Sequence, residues 1–151
     1  MMMTCGLLSM LLLAALCERG FAIRQAEPPA RFETVSVFVE TGEAPLAAWQ
    51  LDISATAGTV RIVGIEGGDH PAYSEPPYYD PLAMQQDRVI IAAFSLNGPE
   101  ALPSGRTRVA TIHVQIPGDV EPEFEAKIDA AADHDGEFID AEVVLQIGTD
   151  K

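Results

Sequence analysis

From Phe32 to Ile147 apolar and polar residues change places with a period of two, the rhythm of strands that bury one face. Val35, Val37 and Val39 fall on one side of the first run, Ser36 and Glu40 on the other. Ala47, Trp49, Leu51, Ile53 and Ala55 oppose Ala48, Gln50, Asp52 and Ser54 in the second. Thr59–Glu66 is a third strand, ended by Gly67-Gly68. Arg88–Ser95 is apolar on both faces and is expected to be a central strand. Ala110, Ile112, Val114 and Ile116 alternate with Val109, Thr111, His113 and Gln115. Phe124, Ala126, Ile128 and Ala130 alternate with Glu123, Glu125, Lys127 and Asp129, and Ile139–Ile147 completes the set. Trp49 is in phase with Leu51 and Ile53, which predicts a core position, since a buried Trp removes on the order of 200 Å² from water.

Turn residues punctuate these runs. Ala57-Gly58, Asn97-Gly98-Pro99 and Pro103-Ser104-Gly105 break the chain between strands. Asp135-Gly136 matches a type I′ hairpin turn, so the last two strands are expected to pair with each other. That pairing would gather Glu123, Glu125, Asp129, Asp140 and Glu142 on one outward face, where like charges repel. Helical periodicity is nearly missing; Pro81–Asp87 is expected to make one helical turn after Asp80. The result is one all-β domain, a two-sheet antiparallel sandwich spanning 32–148.

The front of the chain differs. Leu7–Leu16 is an apolar run too short to span a bilayer but suited to a secretory signal. Gly20-Phe21-Ala22 supplies small residues for a cleavage after Ala22, so residues 1–22 read as a signal peptide and 23–31 as a short tether. Leu13–Cys17 loosely matches a lipoprotein box, which the bulky Leu16 opposes. Both cysteines, Cys5 and Cys17, fall inside this leader, so the mature chain has no disulfide and relies on packing. Secretion or a periplasmic or extracellular location follows as the expectation, with tethering through an uncleaved leader as the alternative and no membrane contact once the leader is removed.

Asp and Glu number 23 against 9 Lys and Arg, a net charge of −14. The leader holds one of each sign, Glu18 and Arg19, so its removal leaves that balance unchanged. Such a chain repels phosphate backbones and has no basic stripe, which argues against nucleic acid as a partner.

Gly67–Asp87 is the longest connection and holds all three tyrosines, Tyr73, Tyr78 and Tyr79, with His70, Asp80 and four prolines. Loops of this length in compact domains tend to be functional, and the prolines favour an ordered one. Tyr rings suit protein surfaces and sugar faces alike. The candidate binding residues are therefore His70, Tyr73, Tyr78, Tyr79 and Asp80, with Glu123 and Glu125 from the acidic face. Packing of the rings over a sheet edge is the alternative.

Metal and catalytic chemistry find little support. Asp133–Glu137 suggests calcium, but an EF-hand needs ligands spread over about 12 residues between helices. His70, His113 and His134 lack zinc-ligand spacing. Neither a nucleophile elbow nor a phosphate-cradling glycine loop is present. The expectation is a non-catalytic, cofactor-free and metal-free monomer.

The order of features resembles a cohesin-type domain. Thr34–Glu40 followed by Leu46–Ala55 is similar to that family's first two strands. Val60–Gly67 resembles its strand-then-glycine segment, Arg88–Ser95 its next core strand, and Ser104–Val114 its glycine-then-long-strand segment. The resemblance spans most of 32–147. It implies a jelly-roll sandwich of about nine strands, related to carbohydrate-binding modules. It also implies non-catalytic binding, to another exported protein or to a polysaccharide. A purely structural envelope protein is a third reading. The chain carries one such module, without the repeated modules common in scaffolds of that family.

Overall fold

The computed structural model describes residues 29–148; the expected signal peptide lies outside them. Eight strands form two antiparallel four-stranded sheets packed face to face. The strands are β1 (Ala30–Glu40), β2 (Ala48–Ala57), β3 (Arg61–Gly67), β4 (Tyr78–Tyr79), β5 (Arg88–Phe94), β6 (Arg106–Pro117), β7 (Glu123–Ala132) and β8 (Glu142–Ile147). One sheet has the order β3-β6-β1-β8, the other β4-β5-β2-β7. The expected all-β sandwich is the fold. The helical segments described are three-residue 3-10 turns, and none is long and apolar enough to cross a membrane.

The alternation predicts the core. Val35, Val37 and Val39 of β1, Trp49, Leu51 and Ile53 of β2, and Ala110, Ile112, Val114 and Ile116 of β6 are all buried between the sheets. β1 begins at Ala30, inside the segment read as a tether. Arg31 is anchored there by donating to the carbonyls of Gly118 and Val120 at 2.9 and 2.7 Å.

Three expectations are corrected. First, β7 and β8 do not pair. β7 hydrogen-bonds β2, and β8 joins the free side of β1 in the other sheet. Between them only Ala132 and Phe138 bridge. Only Gly136 has positive φ, so the turn is not type I′. It is held by Asp133, whose Oδ1 accepts from the backbone N–H of Asp135 and Glu137, both at 3.0 Å. The chain then crosses layers, which lets Val143 and Leu145 pack against the core from the β3-β6-β1-β8 sheet. The five-carboxylate face therefore does not form: Glu142 lies on a different sheet from Glu123 and Glu125, and Asp140 lies outside both.

Second, β5 does lie inside its sheet, between β4 and β2, but its outer face is not buried. Its outer neighbour β4 is two residues long, and Ile90 and Phe94 face solvent. Third, β-bulges break the two-residue phase. Ala110 pairs with Val37 but Arg108 with Phe38, so Val109 is an extra residue and turns into the core. Arg108, in phase with the inward residues by sequence, is shifted to the outer face. On β7, Ala130 pairs with Gln50 and Ile128 with Leu51. Asp129 is extra there, Ala131 takes the buried place, and Ala130 moves to the outside.

Candidate functional site

The long connection sorts its aromatic residues into three environments. Tyr73 is only 2% exposed. Its hydroxyl donates to the Leu46 carbonyl at 2.7 Å, and burial pushes its phenol pKa above the ordinary value. Tyr79 is half-buried against the core, paired in register with Ile91. Tyr78 points outward and is 71% exposed. Of the three candidate tyrosines, only Tyr78 offers a full ring face to a partner, and Tyr73 is a core residue.

His70 and Asp80 serve the backbone. Each caps a 3-10 turn that starts with proline: His70 Nδ1 accepts from Ala72 N–H at 3.2 Å, and Asp80 Oδ1 from Leu82 N–H at 2.9 Å. The second turn, Pro81–Ala83, is the short helical element expected after Asp80. Farther along, Gln85 N–H donates to Ile62 C=O, and Ile62 N–H to Gln86 C=O, both at 2.8 Å. The loop thus ties β3 of one sheet to the β4–β5 side of the other, which orders the segment carrying Tyr78.

Register shows what surrounds Tyr78. On the outer face of the β4-β5-β2-β7 sheet, Tyr78, Ala92, Gln50 and Ala130 form one cross-strand row, and Phe94, Ala48 and Ala132 the next. Tyr78 and Phe94 stack with ring centroids 6.1 Å apart and planes 9° apart. Phe94 is 58% exposed. The alanines leave a shallow groove of about 250 Å³ beside this aromatic wall. Alternation places Ala48 with Gln50 on the outward side, but no sequence signal singles out Phe94, Ala92, Ala130 or Ala132 as surface. The Asp129 bulge, which turns Ala130 outward, could not be read from local alternation.

The same face becomes charged toward its other end, and there the charges are paired. Arg88 grips Asp52 through Nε–Oδ1 at 2.8 Å and Nη2–Oδ2 at 2.5 Å, and this holds the Asp52 carboxyl below its ordinary pKa. Lys127 Nζ donates to Asp129 Oδ1 at 2.8 Å, and Gln50 to Oδ2 at 3.4 Å; both lower the Asp129 pKa, Lys127 more. Glu123 and Glu125 are exposed at the start of β7, opposite Ala57 and Ser54, beyond the paired charges.

Asp133, His134 and Asp135 are the one group of potential metal ligands among the described residues, with donor atoms within 4.8 Å of one another. The Asp133 Oδ1 atom already accepts two backbone N–H groups, a sufficient reason for this geometry.

Family models, curated proteins and solved structures were compared with the chain, and none matches. The cohesin resemblance therefore rests on the order and rhythm of strands alone.

Proposed function

We propose that the chain is an exported, non-catalytic recognition domain that binds another protein through the outer face of the β4-β5-β2-β7 sheet. The exposed Tyr78–Phe94 stack beside an alanine floor carries this reading. A solvated sheet face is ordinarily filled by polar side chains, and here two large rings and four alanines take those places. Aromatic anchors with small neighbours are what interface centres use, with a polar rim around them. Arg88–Asp52 and Lys127–Asp129 supply such a rim. The proposal commits to a partner presenting apolar side chains within a basic surround, because the net charge of −14 steers cations toward this chain and anions away. Export rests on the apolar run Leu7–Leu16. The cohesin resemblance points to the same class of function.

The test is capture of exported proteins from the source cells on the immobilised chain, against a Tyr78→Ala, Phe94→Ala double variant. Both rings are exposed, so the variant keeps its fold by circular dichroism. Loss of the captured protein with the variant supports the proposal; the same protein captured by both forms removes this face from consideration.

A further inference from the structure

The opposite sheet carries a second, chemically different concavity. Ser36 pairs with Thr111, and Thr34 with His113, across β1 and β6. These four side chains form a polar quartet on the outer face, where a cleft of about 610 Å³ opens. That volume falls within the roughly 300–1,000 Å³ of small-ligand sites.

Two hydroxyl residues on this floor are buried, Ser36 at 2% and Thr111 at 8% exposure, although they lie on the outside of a sheet. The chain doubles back after β3 and hangs Ser74 and Pro76 over the floor as one wall. Glycines make that possible. A Cβ on Gly67 would overlap the Ser74 carbonyl, and one on Gly68 the Arg108 carbonyl. Glu66, His113 and Arg108 complete the lining.

The lining selects a ligand class. Hydroxyls both donate and accept, Glu66 accepts, and Arg108 donates. The Thr34 hydroxyl already donates to Gly148 C=O at 3.2 Å and so keeps acceptor capacity. The cleft carries one fixed charge of each sign: Arg108, which bonds Asp69, and Glu66, whose Oε1 lies 3.1 Å from His113 Nε2. An ion of either sign would meet a fixed group of its own sign. The His113–Glu66 contact lacks hydrogen-bond alignment, and Nε2 is a buried nitrogen with no hydrogen bond among the described residues. A small shift of the exposed Glu66 side chain would open this nitrogen to a ligand oxygen. No strand contributes an aliphatic side chain or a Phe, Tyr or Trp ring to this lining, in contrast to the Tyr78–Phe94 face.

We infer that this cleft binds a neutral polyhydroxylated ligand, a sugar or polyol unit. Its hydroxyls would bond the Ser36 and Thr111 hydroxyls on the floor and Glu66 and His113 at the side. The inference does not depend on the protein-binding face, which lies on the other sheet.

The experiment is an amide-resolved NMR titration of the full chain. The probes are glucose, N-acetylglucosamine, cellobiose and mannitol at millimolar concentrations, with acetate and inorganic phosphate as ionic counterparts. Shifts clustered at Ser36, Glu66, Thr111 and His113 with a neutral probe are expected. Glu66→Gln, at an exposed position, and His113→Ala should each weaken that binding about tenfold, the first by turning a charged acceptor into a neutral one and the second by removing a hydrogen bond. If His113→Ala fails to fold, Glu66→Gln alone decides the point. No shifts with any neutral probe, shifts clustered at Tyr78 and Phe94, a response to the anions only, or binding unchanged in Glu66→Gln would each overturn the inference.

Discussion

The Tyr73 ring meets the Trp49 indole edge-on, with centroids 5.8 Å apart and planes 69° apart, in the buried core. One residue comes from the long connection and the other from β2, so this contact fastens the loop to the sandwich. Tyr73 N–H donates to His70 C=O at 2.8 Å, and Gly68 N–H to Tyr73 C=O at 2.7 Å, which curls the loop around the buried ring.

Trp49→Ala is expected to destabilise the fold by roughly 3–5 kcal/mol through lost burial and the cavity left behind. Urea denaturation measures it. A loss under about 1 kcal/mol would contradict the core placement.

Tyr73→Phe removes the hydroxyl that bonds Leu46 C=O and should cost about 1–3 kcal/mol. It also changes the alkaline limb of stability. Burial raises the phenol pKa in the folded state, while the unfolded chain releases its proton near about pH 10. This contribution is complete below that pH and is lost as pH rises toward the folded value. Stability curves from neutral to strongly alkaline pH should fall more steeply for the wild type than for Tyr73→Phe; parallel curves would refute the assignment.

At the acid end, Asp52 and Asp129 are held below their ordinary pKa by Arg88 and Lys127. Their contribution is present above about pH 4 and fades as pH drops through the lowered values. Carboxyl NMR titration should show both residues protonating at lower pH than Asp52 in an Arg88→Met variant and Asp129 in a Lys127→Met variant. Unshifted midpoints would break the pairing described.

Two glycines should respond very differently to alanine. Gly42 has φ +61° but open space around it, so Gly42→Ala carries only the left-handed strain of roughly 1–2 kcal/mol. Gly68→Ala drives a methyl into the Arg108 backbone and should cost about 3 kcal/mol or more. Hydrogen exchange would show the loop lifting from β6 first. Equal losses at the two sites would argue against the close loop seat.

Calcium is expected to leave the melting temperature unchanged, since Asp133 Oδ1 is occupied by the turn's own N–H groups. A site saturated 100-fold would add about 2.7 kcal/mol, and a rise of that size in a thermal melt would establish one.

The acidic hairpin face shows where local reading stops. Asp135-Gly136 marks a turn correctly, but a turn motif does not say whether the chain after it returns to the same sheet. β8 finds its partner in β1, about a hundred residues earlier, because that edge lets Val143 and Leu145 reach the core. Likewise, apolar residues on both faces of β5 announced burial on both sides, and the short β4 left Phe94 in solvent.

Alternation alone determined that the chain is a β-sandwich, that the valines of β1 and Trp49, Leu51 and Ile53 build its core, and that Gly67–Asp87 is the distinctive loop. Side-chain direction within a strand follows from the backbone pleat, a local property that any reader of the residues can follow. Tertiary structure decided which of three tyrosines faces water, that Phe94 stacks on Tyr78, and that Arg108 and Ala130 face outward. Those outcomes depend on strand partners and on bulges, where one extra residue reverses every direction beyond it. Pairing between distant segments sets them, and no window of neighbouring residues contains that information.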